Sequence, residues 1–142
     1  MSWIHLPHDH GQHSQKILEH IPQDEMFQSV TEQLKLLGDG SRLKIFWILC
    51  HCEECVINLS AMMEMSSPAV AHHLKLLKTA GLVTTRREGK EVYYKASESD
   101  QVHLLHEMVE RLMIITCPDI EEESWSKSAS GDYRRVYAGY HV

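Results

Sequence analysis

Residues 66–96 restrict the possible folds of this chain more than any other segment, because they contain a helix with both ends marked, followed by a hairpin. The helix SSPAVAHHLKLLKTAG begins with Ser66 as its N-cap and has Pro68 in the first turn, where a missing N–H costs nothing. It stops at Gly81, a residue type that is common just after a helix. The next segment, LVTTRREGKEVYYKA, alternates β-branched and aromatic residues on either side of a charged turn, which predicts a β-hairpin.

Helical patterns also precede this unit. An amphipathic helix that ends at Gly38 is predicted, because apolar residues recur at spacings of three and four. These residues are Met26, Val30, Leu34 and Leu37. Asp39 is a suitable N-cap for a second helix over residues 41–49, which is almost entirely apolar and which we expect to be buried. A short helix over residues 55–64 then pairs with the helix after Ser66 to make a helix-turn-helix.

A closing helix completes the predicted fold. The run SESD at residues 97–100 resembles a capping box, and the apolar stripe that follows it ends before Pro118. The stripe consists of Val102, Leu105, Val109, Leu112 and Met113. This order of elements predicts a mainly α (α+β) fold, a winged helix-turn-helix with a two-stranded β-hairpin wing, over residues 24–118. Residues 1–23 are predicted to form a His-rich N-terminal arm, and residues 119–142 a C-terminal tail.

The distribution of charge indicates a nucleic-acid partner, although the whole chain is acidic. The net charge is −6, which by itself argues against binding to phosphate. Residues 66–95 nevertheless carry six basic and two acidic residues, a net +4, so the remainder carries −10. A local basic face is typical of a DNA-binding surface, and a solvated charged face is the alternative. The basic residues are Lys75, Lys78, Arg86, Arg87, Lys90 and Lys95.

Length and apolar content limit the class of protein. A chain of 142 residues suits one domain with tails. Residues 1–16 contain no apolar run of signal-peptide length, and no stretch approaches the roughly 18 apolar residues that cross a bilayer. We therefore expect a cytoplasmic protein with no membrane partner, whose four cysteines are mostly reduced.

The run ILCHCEECVINLS places three cysteines and a histidine within six positions. Cys50, Cys52 and Cys55 lie in a predicted turn, where three sulfurs can converge on Zn²⁺ or on a softer three-coordinate ion. Glu53 and Glu54 favour a bound cation and disfavour free thiolate. Two alternatives stay open at this point. Cys50 can pack as a small apolar residue, and Cys52 with Cys55 can form a redox pair, because a helix start favours thiolate.

Other function classes fit the sequence poorly. A CxxC oxidoreductase needs a βαβ context around its motif, and predicted helices flank the motif here. A purely structural zinc module needs four ligands at paired spacing, whereas this chain has one compact cluster. No nucleophile–base pattern indicates other catalysis, so we expect that the protein is not an enzyme.

Three runs resemble the ArsR/SmtB family of metal-responsive winged-helix transcriptional repressors: LLGDGSRLKIFWIL, SSPAVAHHLKLLKTAGLV and RREGKEVYYK. The resemblance covers roughly residues 26–116. It implies a homodimer that pairs through the first and last helices of the domain. It also implies binding to double-stranded operator DNA, with the helix after Ser66 in the major groove and the hairpin on the flanking backbone, and release by a bound metal or metalloid ion.

The resemblance assigns the DNA contacts to the recognition helix and the hairpin. The expected DNA-binding residues are Ser66, Ser67, His72, His73, Lys75, Lys78, Arg86, Arg87 and Lys90. Family members often have Ser or Thr near the start of the recognition helix, where this chain has Pro68, Ala69 and Ala71, so fewer side chains hydrogen-bond to DNA there. The adjacent His72 and His73 are disfavoured as joint metal ligands, because neighbouring side chains on a helix point about 100° apart.

The resemblance also indicates where the inducer binds. The family's best-known Cys-x-Cys sensor pair lies at the start of the short helix before the recognition helix, and only Cys55 matches it here. We expect Cys50, Cys52, Cys55 and Cys117 as metal ligands, with zinc, cadmium or arsenite as candidate ions. Sulfide and persulfide sensors of the family use one cysteine near the second helix and one in the last helix. A thiol-redox or persulfide-sensing repressor that uses Cys50 and Cys117 is therefore the alternative function.

Histidines offer two further sets of ligands by resemblance. Some members bind zinc between protomers on the last helix, which here carries His103, His106, Glu107 and Glu110. We expect that zinc site to be absent, because Ile114 and Cys117 stand where histidines are needed. In some relatives the N-terminal segment reaches the partner's cysteines. The arm has the chemistry to bind Zn²⁺ through His8, Asp9, His10 and His13, and a solvated His-rich arm is the alternative.

Overall fold

The computed structural model describes residues 4–11 and 13–116. Cys117, Pro118 and the predicted C-terminal tail lie outside the described residues. The chain divides into two compact units, residues 1–38 and residues 39–142. Within the described ranges, no helix combines the length and apolar character needed to cross a membrane. The domain boundaries expected at residues 23 and 118 stay predictions.

The first unit contains two helices, α1 (Ser14–His20) and α2 (Asp24–Leu37). The predicted end of α2 is confirmed, because the N–H of Gly38 donates to the carbonyl of Lys35 at 3.1 Å. Leu37 is the one buried residue of α2. The rest of the apolar stripe is about half exposed, at 62% for Met26, 54% for Val30 and 48% for Leu34. In one protomer, α2 therefore presents an apolar face to solvent.

The second unit contains four helices, which are α3 (Gly40–His51), α4 (Val56–Met63), α5 (Ser67–Thr79) and α6 (Asp100–Thr116). Asp39 caps α3 as predicted, because its carboxylate accepts the N–H of Arg42 at 2.9 Å, and this hydrogen bond is the main cause of its lowered pKa. The predicted burial of α3 is also confirmed. Its buried residues are Ile45, Phe46, Ile48 and Leu49.

The helix-turn-helix formed by α4 and α5 buries one face of each helix. Leu59 of α4 and the residues Val70, Leu74 and Leu77 of α5 are fully buried, as the predicted inward stripe of α5 requires. The Ser66 hydroxyl accepts the N–H of Ala69 at 3.3 Å, which confirms the predicted N-cap. The chain leaves α5 through Gly81, whose φ of 77° lies in the left-handed region that glycine tolerates.

The wing is a sheet of three antiparallel strands rather than the expected two-stranded hairpin. Its strands are β1 (Glu54–Cys55), β2 (Val83–Glu88) and β3 (Glu91–Ala96), in the order β1-β3-β2. Glu54 lies opposite Tyr94, and Cys55 lies opposite Tyr93. Extended backbone after α3 pairs with the second edge of β3, whose N–H and C=O groups need partners. Two residues carry no alternating pattern, so sequence periodicity misses β1.

The capping box expected at residues 97–100 implies Ser97 as the cap of α6, and this is wrong. Ser99 caps α6, because its hydroxyl accepts the N–H of Val102 at 3.2 Å. The Ser97 hydroxyl donates instead to the carbonyl of Gly81 at 2.8 Å, and the Ser97 N–H donates to the carbonyl of Leu82. Ser97 thus ties the end of β3 to the chain leaving α5, and α6 begins later than the pattern suggested.

Candidate functional site

The outer face of α5 is polar and basic, whereas its inner face is apolar. Its exposed polar and basic residues are Ser67, His72, Lys75, Lys78 and Thr79, and Pro68 and Ala71 are exposed beside them. The Ser67 hydroxyl also lies 3.1 Å from that of Ser60, so it contacts α4 as well as solvent. Lysine on an exposed helix face attracts phosphate, and serine and histidine can hydrogen-bond to phosphates or base edges. This face can therefore approach a nucleic acid.

His73 is placed differently from the other expected contacts on α5. Its side chain is half-buried, and its Nδ1 lies 3.3 Å from Nη1 of Arg42 at the start of α3. Since the guanidinium always donates, Nδ1 of His73 accepts this hydrogen bond. His73 thus holds α5 against α3, and sequence patterns give no sign of this pairing because the two residues lie far apart in the chain.

The two arginines of the wing differ in how far their charge is neutralised by neighbouring carboxylates. Arg86 is paired with Glu53 through Nε and with Glu88 through Nη1 at 2.6 Å, and it lies 4.6 Å from the centre of the Tyr93 ring. Hydrogen bonds to Glu88 and Glu53 raise the pKa of Arg86. Two carboxylates therefore neutralise this charge. Arg87 and Lys90 are exposed near the tip, where Arg87 Nε donates to the carbonyl of Gly89 at 3.4 Å.

The three described cysteines of the Cys-x-Cys-x-x-Cys run point to different surroundings. Cys50 is half-buried in α3, and Cys52 is exposed after that helix, where its thiol donates to the carbonyl of Ile48 at 3.4 Å. Cys55 is half-buried, belongs to β1 and precedes the first residue of α4. Within residues 4–11 and 13–116, these sulfurs do not form a cluster with metal-ligand spacing. The expected ligand Cys117 lies outside that part of the chain.

Two of these thiols are held in the protonated form. Burial, together with the charge of Glu110, raises the pKa of Cys50 to about 12. Burial and the charge of Glu54 raise the pKa of Cys52. Because thiolate is the nucleophile in thiol chemistry, Cys50 is unreactive at neutral pH in these surroundings.

Beside the cysteines, His51, His106 and Glu110 form a compact cluster that links α3 to α6. Nε2 of His51 lies 3.0 Å from Oε1 of Glu110, and Nε2 of His106 lies 2.6 Å from the same oxygen. The two Nε2 atoms are 3.1 Å apart. Among the described residues, this is the one group of three or more His, Cys, Asp or Glu side chains whose ligand atoms all lie within 4.8 Å of one another.

Glu110 is the buried member of this cluster, with no exposed surface, whereas the side chains of His51 and His106 are 18% and 20% exposed. Burial by itself raises the pKa of the carboxyl. Hydrogen bonds from His106 and His51 act in the opposite direction and outweigh it, so the pKa of Glu110 is lowered. The carboxylate is thus kept ionised by the two imidazoles.

A cleft of about 500 Å³ opens next to the cluster and the cysteines. Its walls come from the end of α3, the end of β3 and the first half of α6. The side chains that can bind a metal are Cys50, His51, Cys52, Glu53, Glu98, His103 and His106. Soft thiol donors and borderline imidazole donors therefore face one solvent-filled space.

The sequence points to parts of this cluster without defining it. His106 and Glu110 belong to the candidate zinc site on the last helix, whereas His51 stands out only as a histidine among cysteines. His106 follows His51 by 55 positions, and Glu110 follows it by 59. The i, i+4 spacing of His106 and Glu110, which puts both on one helix face, is the signal that the sequence offers.

The histidines of the N-terminal arm do not assemble a comparable cluster within its described residues. The rings of His8 and His10 stack with their centres 5.7 Å apart, and Asp9 accepts the N–H of Gly11 at 2.9 Å. A metal-binding role for the arm stays a prediction.

Comparisons with known proteins agree on one family. The profile described as "Bacterial regulatory protein, arsR family" matches residues 39–85. A relative named "Transcriptional repressor SmtB homolog", from Synechocystis sp., is 36% identical over 85 residues, which cover 60% of this chain and 64% of the relative. The match thus spans less than two thirds of that relative. The "Arsenical resistance operon repressor" of Staphylococcus aureus is 33% identical over 63% of this chain and 82% of its own length.

A solved structure supports the same fold. The "homodimeric winged helix-turn-helix DNA-binding domain" of Mb0332 from Mycobacterium bovis, described as a possible ArsR-family transcriptional regulator, superimposes with a TM-score of 0.59. It is 26% identical in sequence, and the match covers 71% of this chain and 96% of that domain. The predicted winged helix-turn-helix architecture is confirmed.

Proposed function

The chain belongs to the ArsR family of bacterial regulatory proteins, and from this we propose that it is a homodimeric transcriptional repressor rather than an enzyme. The repressor binds double-stranded operator DNA in the cytoplasm and leaves it when a thiophilic metal or metalloid ion binds. The names of its relatives, a transcriptional repressor and an arsenical resistance operon repressor, support this proposal.

The observation that carries the proposal is the two-sided character of α5. Its inner face is completely buried on α3 and α4, whereas its outer face exposes Lys75 and Lys78 beside Ser67 and His72. Arg87 and Lys90 add exposed positive charge on the wing. A rigid helix with an exposed basic face and a basic wing suits a major groove flanked by phosphates.

Exposed apolar faces on α2 and α6 support the homodimer. The stripe of α2 is about half exposed, and a second stripe on α6 faces solvent in addition to the buried one. The residues of that second stripe are Leu104, Met108, Leu112 and Ile115, which are 37–75% exposed. Faces of this kind on a soluble regulator indicate burial against another chain, and the M. bovis neighbour is described as a homodimer.

Thiol chemistry supports a soft ion as the inducer. Cys50, Cys52 and Cys55, with Cys117, are the proposed ligands, and thiolates select zinc, cadmium or arsenite over hard cations. Cys55 is also well placed to transmit a signal, because it pairs with Tyr93 of the wing and directly precedes α4. Any shift of Cys55 therefore reaches the wing and the helix that packs behind α5.

The thiol-redox alternative, like metal binding by Cys50, requires the thiolate form of this cysteine. Its pKa of about 12 leaves very little thiolate at neutral pH, and oxidation or persulfide formation starts from thiolate. Formation of a disulfide or a sulfur bridge between Cys50 and Cys117 before any metal effect would favour this alternative.

Operator binding is tested by the salt dependence of affinity for a palindromic duplex whose half-sites lie about one helical turn apart. We expect affinity to fall steeply with salt. Arg87→Ala should weaken binding to all sequences about equally and lower the salt slope by about one for each phosphate that is no longer neutralised. Lys44→Ala, which removes an exposed lysine of α3, is the control with little expected effect. A flat salt response, or binding only as a monomer, would contradict the proposal.

A further inference from the structure

We propose that His51, His106 and Glu110 form a metal site of their own, which binds one borderline divalent ion such as Zn²⁺ through two imidazole nitrogens and one carboxylate oxygen. The site lies within a single protomer and uses no sulfur. It goes beyond the proposed inducer site in the cysteine run, because its ligands and its preferred ions are different.

The geometry of the three ligand atoms suits such an ion. Their separations are 3.0, 2.6 and 3.1 Å. A tetrahedral Zn²⁺ with bonds of 2.0–2.1 Å keeps its ligands about 3.3 Å apart. The observed triangle is slightly smaller, so small outward rotations of the two rings make room for the ion.

The two imidazoles that hydrogen-bond to Oε1 of Glu110 also bring their Nε2 atoms within 3.1 Å of each other. One carboxylate oxygen can accept two hydrogen bonds, so the uncommon feature is the close approach of the two nitrogens. If both nitrogens carry protons, the two protons lie close together. If one nitrogen lacks its proton, its lone pair faces the other nitrogen and the carboxylate oxygen. An ion at the common point accepts a lone pair from all three atoms.

The surrounding helices hold the ligands in place. His106 and Glu110 occupy i and i+4 positions on one face of α6, a spacing that lets two side chains bind the same ion. His51 is the last residue of α3, and the ring of Trp47, one turn earlier, lies against it with the ring centres 4.3 Å apart. Complete burial fixes the carboxylate of Glu110. Such preorganisation lowers the entropic cost of binding an ion.

The cleft supplies the entry path and the open coordination position. His51 and His106 line it, while Glu110 lies behind them. Water from the cleft can therefore complete a four-coordinate ion. His103 also lines the cleft but does not belong to the cluster, which makes it a matched control on the same helix.

The test uses the full chain with all four cysteines changed to serine, titrated with Co²⁺ as a spectroscopic substitute for Zn²⁺. We expect one Co²⁺ per protomer, with ligand-field bands but no thiolate-to-cobalt charge-transfer band. His106→Gln in this background should weaken binding by at least about tenfold, because it removes a ligand. His103→Gln should leave the affinity unchanged.

The proposal is overturned if the cysteine-free chain binds no Co²⁺, or if His106→Gln and His103→Gln behave alike. A variant that fails to fold is replaced by a measurement on the unmodified protein. There, Zn²⁺ should shift the imidazole ¹⁵N resonances of His51 and His106 but not that of His103, whether or not the ion also binds the thiols. Loss of thiols without imidazole shifts would refute the site. Operator binding is a separate measurement, so its failure would count against the repressor proposal alone.

Discussion

The cysteine run and the His–Glu cluster begin at the same place in the chain but are organised in opposite ways. Cys50, Cys52 and Cys55 are close in sequence, yet their side chains point to different surroundings. His51 lies between two of these cysteines, yet its partners His106 and Glu110 come from α6. The cysteine run is thus a local motif that is open in this structure, and the cluster is a tertiary site that is already assembled.

The difference shows what holds each region together. The cluster is fixed by contacts among its own side chains and by a buried carboxylate, so its geometry depends on the folded core. The cysteine run spans the end of α3, a turn and the short strand β1, and it contributes little to the core. Substitutions in the two regions should therefore affect different properties, namely stability for the cluster and response to soft ions for the cysteines.

The largest expected contrast is in stability. Glu110→Ala removes a buried carboxylate that accepts hydrogen bonds from two imidazoles, and it leaves a cavity, so we expect unfolding free energy to fall by about 3 kcal/mol. Cys52→Ala changes an exposed side chain and should cost less than about 0.5 kcal/mol. Urea denaturation in the presence of a chelator measures both. Equal losses would show that the cysteine run is as much a part of the core as the cluster.

The next contrast is in operator release. In the unmodified protein we expect cadmium or arsenite to weaken operator binding through a coupling of about 1–3 kcal/mol per effector. Cys55→Ser should bind the operator normally but no longer release it, because serine is a poor ligand for soft ions. His106→Gln should still release it. Fluorescence anisotropy with labelled operator measures all three proteins, and normal release by Cys55→Ser would mean that the cysteine run is only a connector.

The smallest expected contrast is in thiol reactivity. Cys52 is exposed and Cys50 is half-buried with a strongly raised pKa, so iodoacetamide at neutral pH should modify Cys52 at least about ten times faster. Mass spectrometry of the peptides gives both rates. Zn²⁺ held by the His–Glu cluster should leave the rate at Cys52 unchanged, whereas arsenite should lower it. Protection of Cys52 by Zn²⁺ that is lost in His106→Gln would show that the two regions form one site.

The sequence is a good guide to the helices and a poorer guide to what joins them. The N-caps Asp39 and Ser66 and the end of α5 at Gly81 are predicted correctly, because capping depends on residues next to each other in the chain. The strand β1 is missed, and the pattern puts the cap of α6 at Ser97 instead of Ser99. Ser97 is diverted by a hydrogen bond to Gly81, a tertiary contact that no local pattern contains.

The same limit applies to the site. The basic residues of α5 and the wing can be read from composition, but the pairing of Arg86 with Glu53 and Glu88 depends on the fold. The contact between Arg42 and His73 also depends on the fold. The cysteines attract attention because their spacing is visible in the sequence. His51 attracts no attention in the sequence, because its partners His106 and Glu110 are brought to it only by the fold.

The strand β1 also limits how this protein can vary. Glu54 and Cys55 are held opposite Tyr94 and Tyr93, and side chains alternate between the two faces of a sheet. A one-residue shift of this register would turn the Cys55 side chain to the other face. Exchange of one ligand for another keeps the register, whereas a change of length that is passed on to β1 shifts it. We therefore expect variants that respond to a new ion to arise by substitution at residues 52–55 rather than by insertion.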